Sequence, residues 1–113
     1  MKHYTSFYMS RIRLASLRKA GRVIPRRPRG LRAAVVTLAP GDVMEWHSTG
    51  EREELLIALG GRVAVDVDVA SRRRRRVALV SGHSLFLPHR TRHRVVNRSS
   101  SAARYLYVTG PAR

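Results

Sequence analysis

The chain contains no cysteine, which excludes disulfide scaffolds, thiolate zinc sites, iron–sulfur clusters and cysteine nucleophiles. No apolar run approaches the roughly 18 residues of a membrane span, so the chain does not read as an integral membrane protein. There is no Gly-rich phosphate loop, no internal repeat and no secretory apolar segment. Acids are scarce: 7 Asp and Glu stand against 23 Lys and Arg in 113 residues, for a formal charge of +16. Lysine is scarcer still, since only Lys2 and Lys19 are present and the other bases are Arg. A GC-rich genome produces the same bias. What is present is one domain's worth of sequence, with 43% hydrophobic residues to form its core.

The charge is unevenly placed. Residues 1–41 hold 10 bases and no acid, residues 42–68 hold all 7 acids with two Arg, and residues 69–113 hold 11 Arg and no acid. A chain this short of carboxylates that concentrates them in one stretch is using some of them.

Ser10–Gly21 reads as a short helix, with Ser10 as N-cap and Gly21 as stop, or as a basic amphipathic tail. Pro25 and Pro28 make the following Arg-rich stretch a loop. From Leu31 the pattern turns β. Ala33–Leu38, Val43–His47, Glu54–Leu59, Val63–Val69, Val77–Val80, Leu85–Leu87, His93–Asn97 and Tyr105–Val108 are short apolar or alternating runs punctuated by Gly and Pro. About eight strands at this spacing predict an all-β antiparallel sandwich or barrel. The domain division is a basic N-terminal extension over 1–29 and a β-barrel domain over 30–113.

Two polar blocks interrupt the strands. In the first, Gly41 is followed after five residues by His47, then by Thr49, Glu54 and Gly61. In the second, Gly82 is followed by Pro88, Arg90, His93 and Asn97. In this order and spacing they resemble the two motifs of the cupin superfamily, with two departures. Thr49 stands where the family has a second His, and Arg90 where it has a Gly. The resemblance spans roughly residues 31–108. It implies a double-stranded β-helix, or jelly-roll, barrel with metal ligands on the inward faces of two strand pairs, and it carries His47, Glu54 and His93 to ligand positions.

Elementary chemistry agrees with that set. Without thiolates, imidazole and carboxylate are the donors a divalent ion accepts, and two His with one carboxylate suit iron, manganese, zinc or nickel. Alternation along a strand lets Glu45, His47 and Thr49 share the inward face, so Glu45 is the candidate catalytic base or a substitute ligand. Thr49 is a candidate to hydrogen-bond a metal-bound water or ligand. Arg90, near the barrel mouth, is a candidate clamp for a substrate carboxylate. Asn97 reads as structural. Trp46 alternates away from His47 and should pack outside the barrel, while Tyr105 and Tyr107 share one face and read as core or dimer contact; the three are consistent with a homodimer. Arg72–Arg76 reads as a solvated hairpin tip, some of its members crossing to Asp66 and Asp68.

The expectation is therefore a small cupin holding a divalent metal and a small anionic molecule in its barrel. If it is an enzyme, the resemblance implies metal-dependent chemistry of dioxygenase, isomerase or epimerase type. A metal-free ligand-binding or sensor module is the alternative. A basic nucleic-acid or membrane-surface adaptor is a third reading, disfavoured by the lack of aromatics interleaved with the bases. Partners are thus a small molecule and a second copy of the chain, with no specific nucleic acid or membrane, and the expected location is cytoplasmic.

Overall fold

A computed structural model describes residues 12–27 and 29–112. No helix occurs among them, and hence none long and apolar enough to cross a membrane. Nine strands are present: β1 (Gly21–Arg22), β2 (Arg32–Leu38), β3 (Val43–Ser48), β4 (Arg52–Gly60), β5 (Arg62–Ala70), β6 (Arg73–Val80), β7 (Ser84–Leu87), β8 (Arg92–Val96) and β9 (Ala103–Pro111). They form two antiparallel sheets, one ordered β1-β2-β9-β4-β7 and the other β3-β8-β5-β6.

The period-two alternation of the sequence is what closes the two sheets on each other. Val63, Val65 and Val67 of β5 point into the core, where they join Leu56 and Ala58 of β4, Leu79 of β6, Leu87 of β7, Val95 of β8 and Ala103 and Tyr105 of β9. Asn97 is wholly buried and fully used. Its amide nitrogen donates to the carbonyls of Leu38 (2.9 Å) and Ser101 (2.8 Å), and its oxygen accepts from the Ser99 amide and hydroxyl. At the β4–β5 turn Gly61 has φ +70°, and a Cβ there would lie 2.8 Å from the Ala102 carbonyl oxygen, so the turn requires glycine.

Four expectations change. The stretch before Gly21 is not helical over residues 12–20, and Gly21 opens β1 instead of ending a helix. Ser10 lies outside the described residues. Without an apolar face to bury, Ile12 and Leu14 stay exposed, and nothing offsets the cost of nucleating a helix. Second, β1 lies within 1–29 yet pairs with β2, Gly21 opposite Val35 and Arg22 opposite Ala34.

Third, the Arg run is strand, not tip. Only Ser71 and Arg72 turn the chain, Arg72 with φ 61°, and Arg73–Arg76 belong to β6. Asp66 and Asp68 cause this, since Arg76 and Arg74 lie directly opposite them and are bound by them. Fourth, of the two readings for Tyr105 and Tyr107 the structure takes the core: Tyr105 is buried there and the partly buried Tyr107 packs against it. Trp46 does face outward, but the guanidiniums of Arg74, Arg92 and Arg94 lie 4.3, 5.2 and 5.2 Å from its ring centroid.

Candidate metal centre

His47 and His93 meet because β3 and β8 pair with these two residues directly opposite each other. Their ring centroids are 4.3 Å apart. Glu54 arrives from the other sheet, on β4, and its Oε1 is 3.5 Å from His93 Nε2. One donor atom from each of His47, Glu54 and His93 lies within 4.8 Å of the other two, which makes the three a group able to hold a metal ion.

The protonation pattern follows from the hydrogen bonds. His93 Nδ1 is 3.1 Å from the Thr91 carbonyl oxygen, and His47 Nδ1 is 2.7 Å from that of Glu45. A carbonyl can only accept, so each Nδ1 carries a proton, and Nε2 is the ring nitrogen left to face the site. His93 Nε2 is buried and has no hydrogen-bond partner. Burial holds the His93 imidazole below its usual range, with the Thr91 bond opposing and His47 assisting. Burial likewise pushes the Glu54 carboxyl up, partly offset by His47. Two imidazoles anchored through Nδ1 and an under-solvated carboxylate are the donor set a divalent cation would satisfy.

The three line a chamber of about 290 Å³ together with Met44, Thr49, Arg32, Arg52, Tyr105, Tyr107 and Thr109. Thr49 is therefore in the chamber wall, but its hydroxyl is engaged twice. It donates to the Pro88 carbonyl (2.8 Å) and accepts from the Thr91 amide (2.9 Å). The side chain at the position of the family's second His thus locks the two turns that carry the flanking ligands.

Glu45 is exposed and does not line the chamber. Register explains it: Met44 lies opposite Val95 and His47 opposite His93, so β3 spends three steps where β8 spends two. The bulge puts Met44, not Glu45, on the inner face with His47. Arg90 sits in the turn before β8 with φ 56°, and its guanidinium pairs with Glu51 at 3.2 Å, both side chains solvated. It too is absent from the chamber lining.

The sequence reading missed Arg32 and Arg52. Arg32, Thr109 and Glu54 lie opposite one another across β2, β9 and β4, so an Arg that opens an apolar strand enters the chamber. The available signal was Arg32 sharing a strand face with Ala34 and Val36. Arg52 is committed: it donates from Nε to Thr109 Oγ1 at 2.8 Å and from its terminal nitrogen to the Thr109 and Gly30 carbonyls. Arg32 keeps a buried Nε without a partner.

Comparison with known proteins agrees with this architecture. Residues 34–109 match the cupin domain. No curated protein matches. Among solved structures, TT1209 from Thermus thermophilus is 25% identical, with TM-score 0.68, over 91% of this chain and 93% of its own. Oxalate oxidase in complex with the substrate analogue glycolate is 16% identical, with TM-score 0.67, over 73% of this chain and 42% of its own. A predicted oxalate decarboxylase from Thermotoga maritima is 18% identical, with TM-score 0.65, over 74% of this chain and 69% of its own. The chain thus spans less than half the length of the oxalate oxidase. With the motif spacing, the two closed sheets and this match over most of its length, the chain belongs to the cupin family.

Proposed function

We propose that this cupin binds one divalent metal ion through His47, Glu54 and His93 and takes a small anionic molecule in the adjoining chamber. The observation that carries the reading is the buried, partnerless Nε2 of His93, aimed at the Glu54 carboxylate 3.5 Å away while Nδ1 is tied back to Thr91. An imidazole held this way loses the hydration of its lone pair and gains nothing unless a cation occupies the centre.

A bound divalent ion would supply Lewis-acid or redox chemistry. The chain's own residues do the rest. Arg32 and Arg52 give the wall beyond Glu54 a double positive charge, which draws in a carboxylate or similar anion and opposes a cationic ligand. Burial pushes the Tyr105 phenol well above its usual range, so it stays protonated and can donate a hydrogen bond to that anion. Glu45 keeps His47 oriented through its carbonyl. Two of the fold neighbours are an oxalate oxidase and a predicted oxalate decarboxylase, and a small carboxylate of that kind suits a chamber of about 290 Å³ with two guanidiniums.

The second reading is a metal-free ligand-binding module, favoured by the commitment of Thr49 to backbone bonds, which leaves three donors where the family pattern has four. Elemental analysis of untagged protein grown with metal supplementation separates the two. About one equivalent of iron, manganese, zinc or nickel, absent from His93→Ala, is the expected result. Metal-free wild type would overturn the first reading in favour of the second.

A further inference from the structure

A second cavity, of about 170 Å³, lies beside the metal chamber and is lined by Arg22, Ile24, Arg26, Arg32, Ala33 and Tyr107. Arg32 and Tyr107 belong to both cavities. The register explains the adjacency. Arg22 lies opposite Ala34, Ala34 opposite Tyr107, and Tyr107 opposite Leu56, so these four side chains share one face of the β1-β2-β9-β4 sheet. Arg32, Thr109 and Glu54 form the neighbouring row on that same face. With strands about 4.8 Å apart, Arg32 is roughly 10 Å from Glu54 and β1 is roughly 14 Å from β4. The second cavity is thus the outward continuation of the inner wall, beyond the reach of the three metal-site side chains.

Its charge is one-sided. All seven carboxylic side chains lie between Asp42 and Asp68. No ion pair among the described residues involves Arg22, Arg26 or Arg32. Arg32 brings a buried Nε that has no acceptor. Three guanidiniums around one small cavity repel one another, and burying an unpaired donor adds to that cost. On the second sheet, Arg74, Arg76, Arg92 and Arg94 are answered by Asp66 and Asp68. Here the chain offers none.

We propose that Arg22, Arg26 and Arg32 form a subsite for a phosphate group, separate from the metal centre. A carboxylate has two oxygens and one charge, too few for three guanidinium forks. A phosphate monoester offers three terminal oxygens and nearly two charges, which match them. The cavity volume, several times the roughly 30 Å³ of a water, accommodates a phosphate, and the rest of a phosphorylated molecule would extend toward the chamber or into solvent. This inference does not rest on metal binding.

The test is calorimetric titration of the full-length chain with inorganic phosphate in 150 mM salt and EDTA, which screens general attraction to a +16 protein and removes metal. Saturable one-site binding is expected, weakened about tenfold or more by Arg32→Gln and by the Arg22→Gln/Arg26→Gln pair. The pair lies on exposed side chains and guards against misfolding of the Arg32 variant. Arg72→Gln/Arg73→Gln, equally exposed and remote in sequence, should change the affinity less than twofold. Loss of binding in folded His93→Ala would place the phosphate at the metal centre and overturn the proposal. So would equal weakening by the Arg72/Arg73 pair, or no saturable binding in the wild type. Phosphate binding that survives His93→Ala while metal is lost would uphold this subsite whatever becomes of the metal reading.

Discussion

The Thr49 hydroxyl accepts the Thr91 amide at 2.9 Å while donating to the Pro88 carbonyl at 2.8 Å. It therefore ties the β3–β4 turn to the segment that enters β8, and the Thr91 carbonyl on that segment orients His93. Thr49→Val keeps the shape and removes both bonds, leaving a buried N–H and C=O unpaired. It should cost about 1–3 kcal/mol in denaturant unfolding and weaken metal binding as well, whereas Thr49→Ser should retain most of both. Unchanged stability in the Val variant would show that the hydroxyl serves some other purpose.

Glu54 is buried, and the loss of solvent outweighs the help that His47 gives its charge. In metal-free protein its charge is a cost, so Glu54→Gln should raise the apo melting temperature. With metal the order reverses. Ligand linkage predicts that the wild type gains about 2.7 kcal/mol at a metal concentration 100 times the dissociation constant, and the Gln variant gains far less. Thermal melts with and without metal check both halves. An apo protein destabilised by Glu54→Gln would mean that the carboxylate has a structural partner at that site.

Some of this site is written locally and some is not. His47, Glu54 and His93 were singled out by the resemblance of two spaced motifs to the cupin pattern, and the structure brings the three together. Glu45 was misplaced because alternation carries no mark of the bulge between Met44 and His47. Arg32 was missed because its place beside Glu54 depends on the pairing of three strands remote in sequence. The crossing of the Arg72–Arg76 run to Asp66 and Asp68 was legible, but that four of its members continue β6 was not, because how far a hairpin pairs beyond its apolar part depends on the opposite strand. The fold itself was legible because period two is a local property that every strand repeats.

Arg52 joins the N-terminal strap, the segment that carries β1 and leads through Gly30 into β2, to the barrel, since it donates to the Gly30 carbonyl as well as to Thr109. Arg52→Gln is too short to span both. The strap should loosen while the core remains, because the core contacts of β4 begin at Leu56. The Val23 amide, which donates to the Ala33 carbonyl at 2.8 Å, should then exchange with solvent about tenfold faster, and the amide of Val65 should not change. Equal acceleration at both amides would indicate global destabilisation instead.

Acidification should release the lattice on the outer face of the second sheet. Asp66 is about 1% exposed, yet Arg76 and Arg94 bind its two oxygens at 2.7 and 2.8 Å, and Arg98 stands at 3.9 Å. The Arg76 hydrogen bond holds the carboxyl below its usual range, burial opposes this, and Arg94 assists. A carboxyl with a depressed folded-state value stabilises the fold above its unfolded value of about 3.9, and that stability is lost as pH falls through the folded value. Unfolding free energy should therefore decline from about pH 5 downward. Asp66→Asn should flatten that limb and lower stability at neutral pH by about 3 kcal/mol, because three arginines then face one another without a counter-charge. Trp46, the chain's one tryptophan, reports the same event through Arg94, which binds Asp66 and lies over the indole ring. Its emission should shift to the red with the acid transition in wild type and already at neutral pH in Asp66→Asn. Emission that stays constant through the acid limb while unfolding free energy declines would mean that these arginines hold their stacking without the carboxylate.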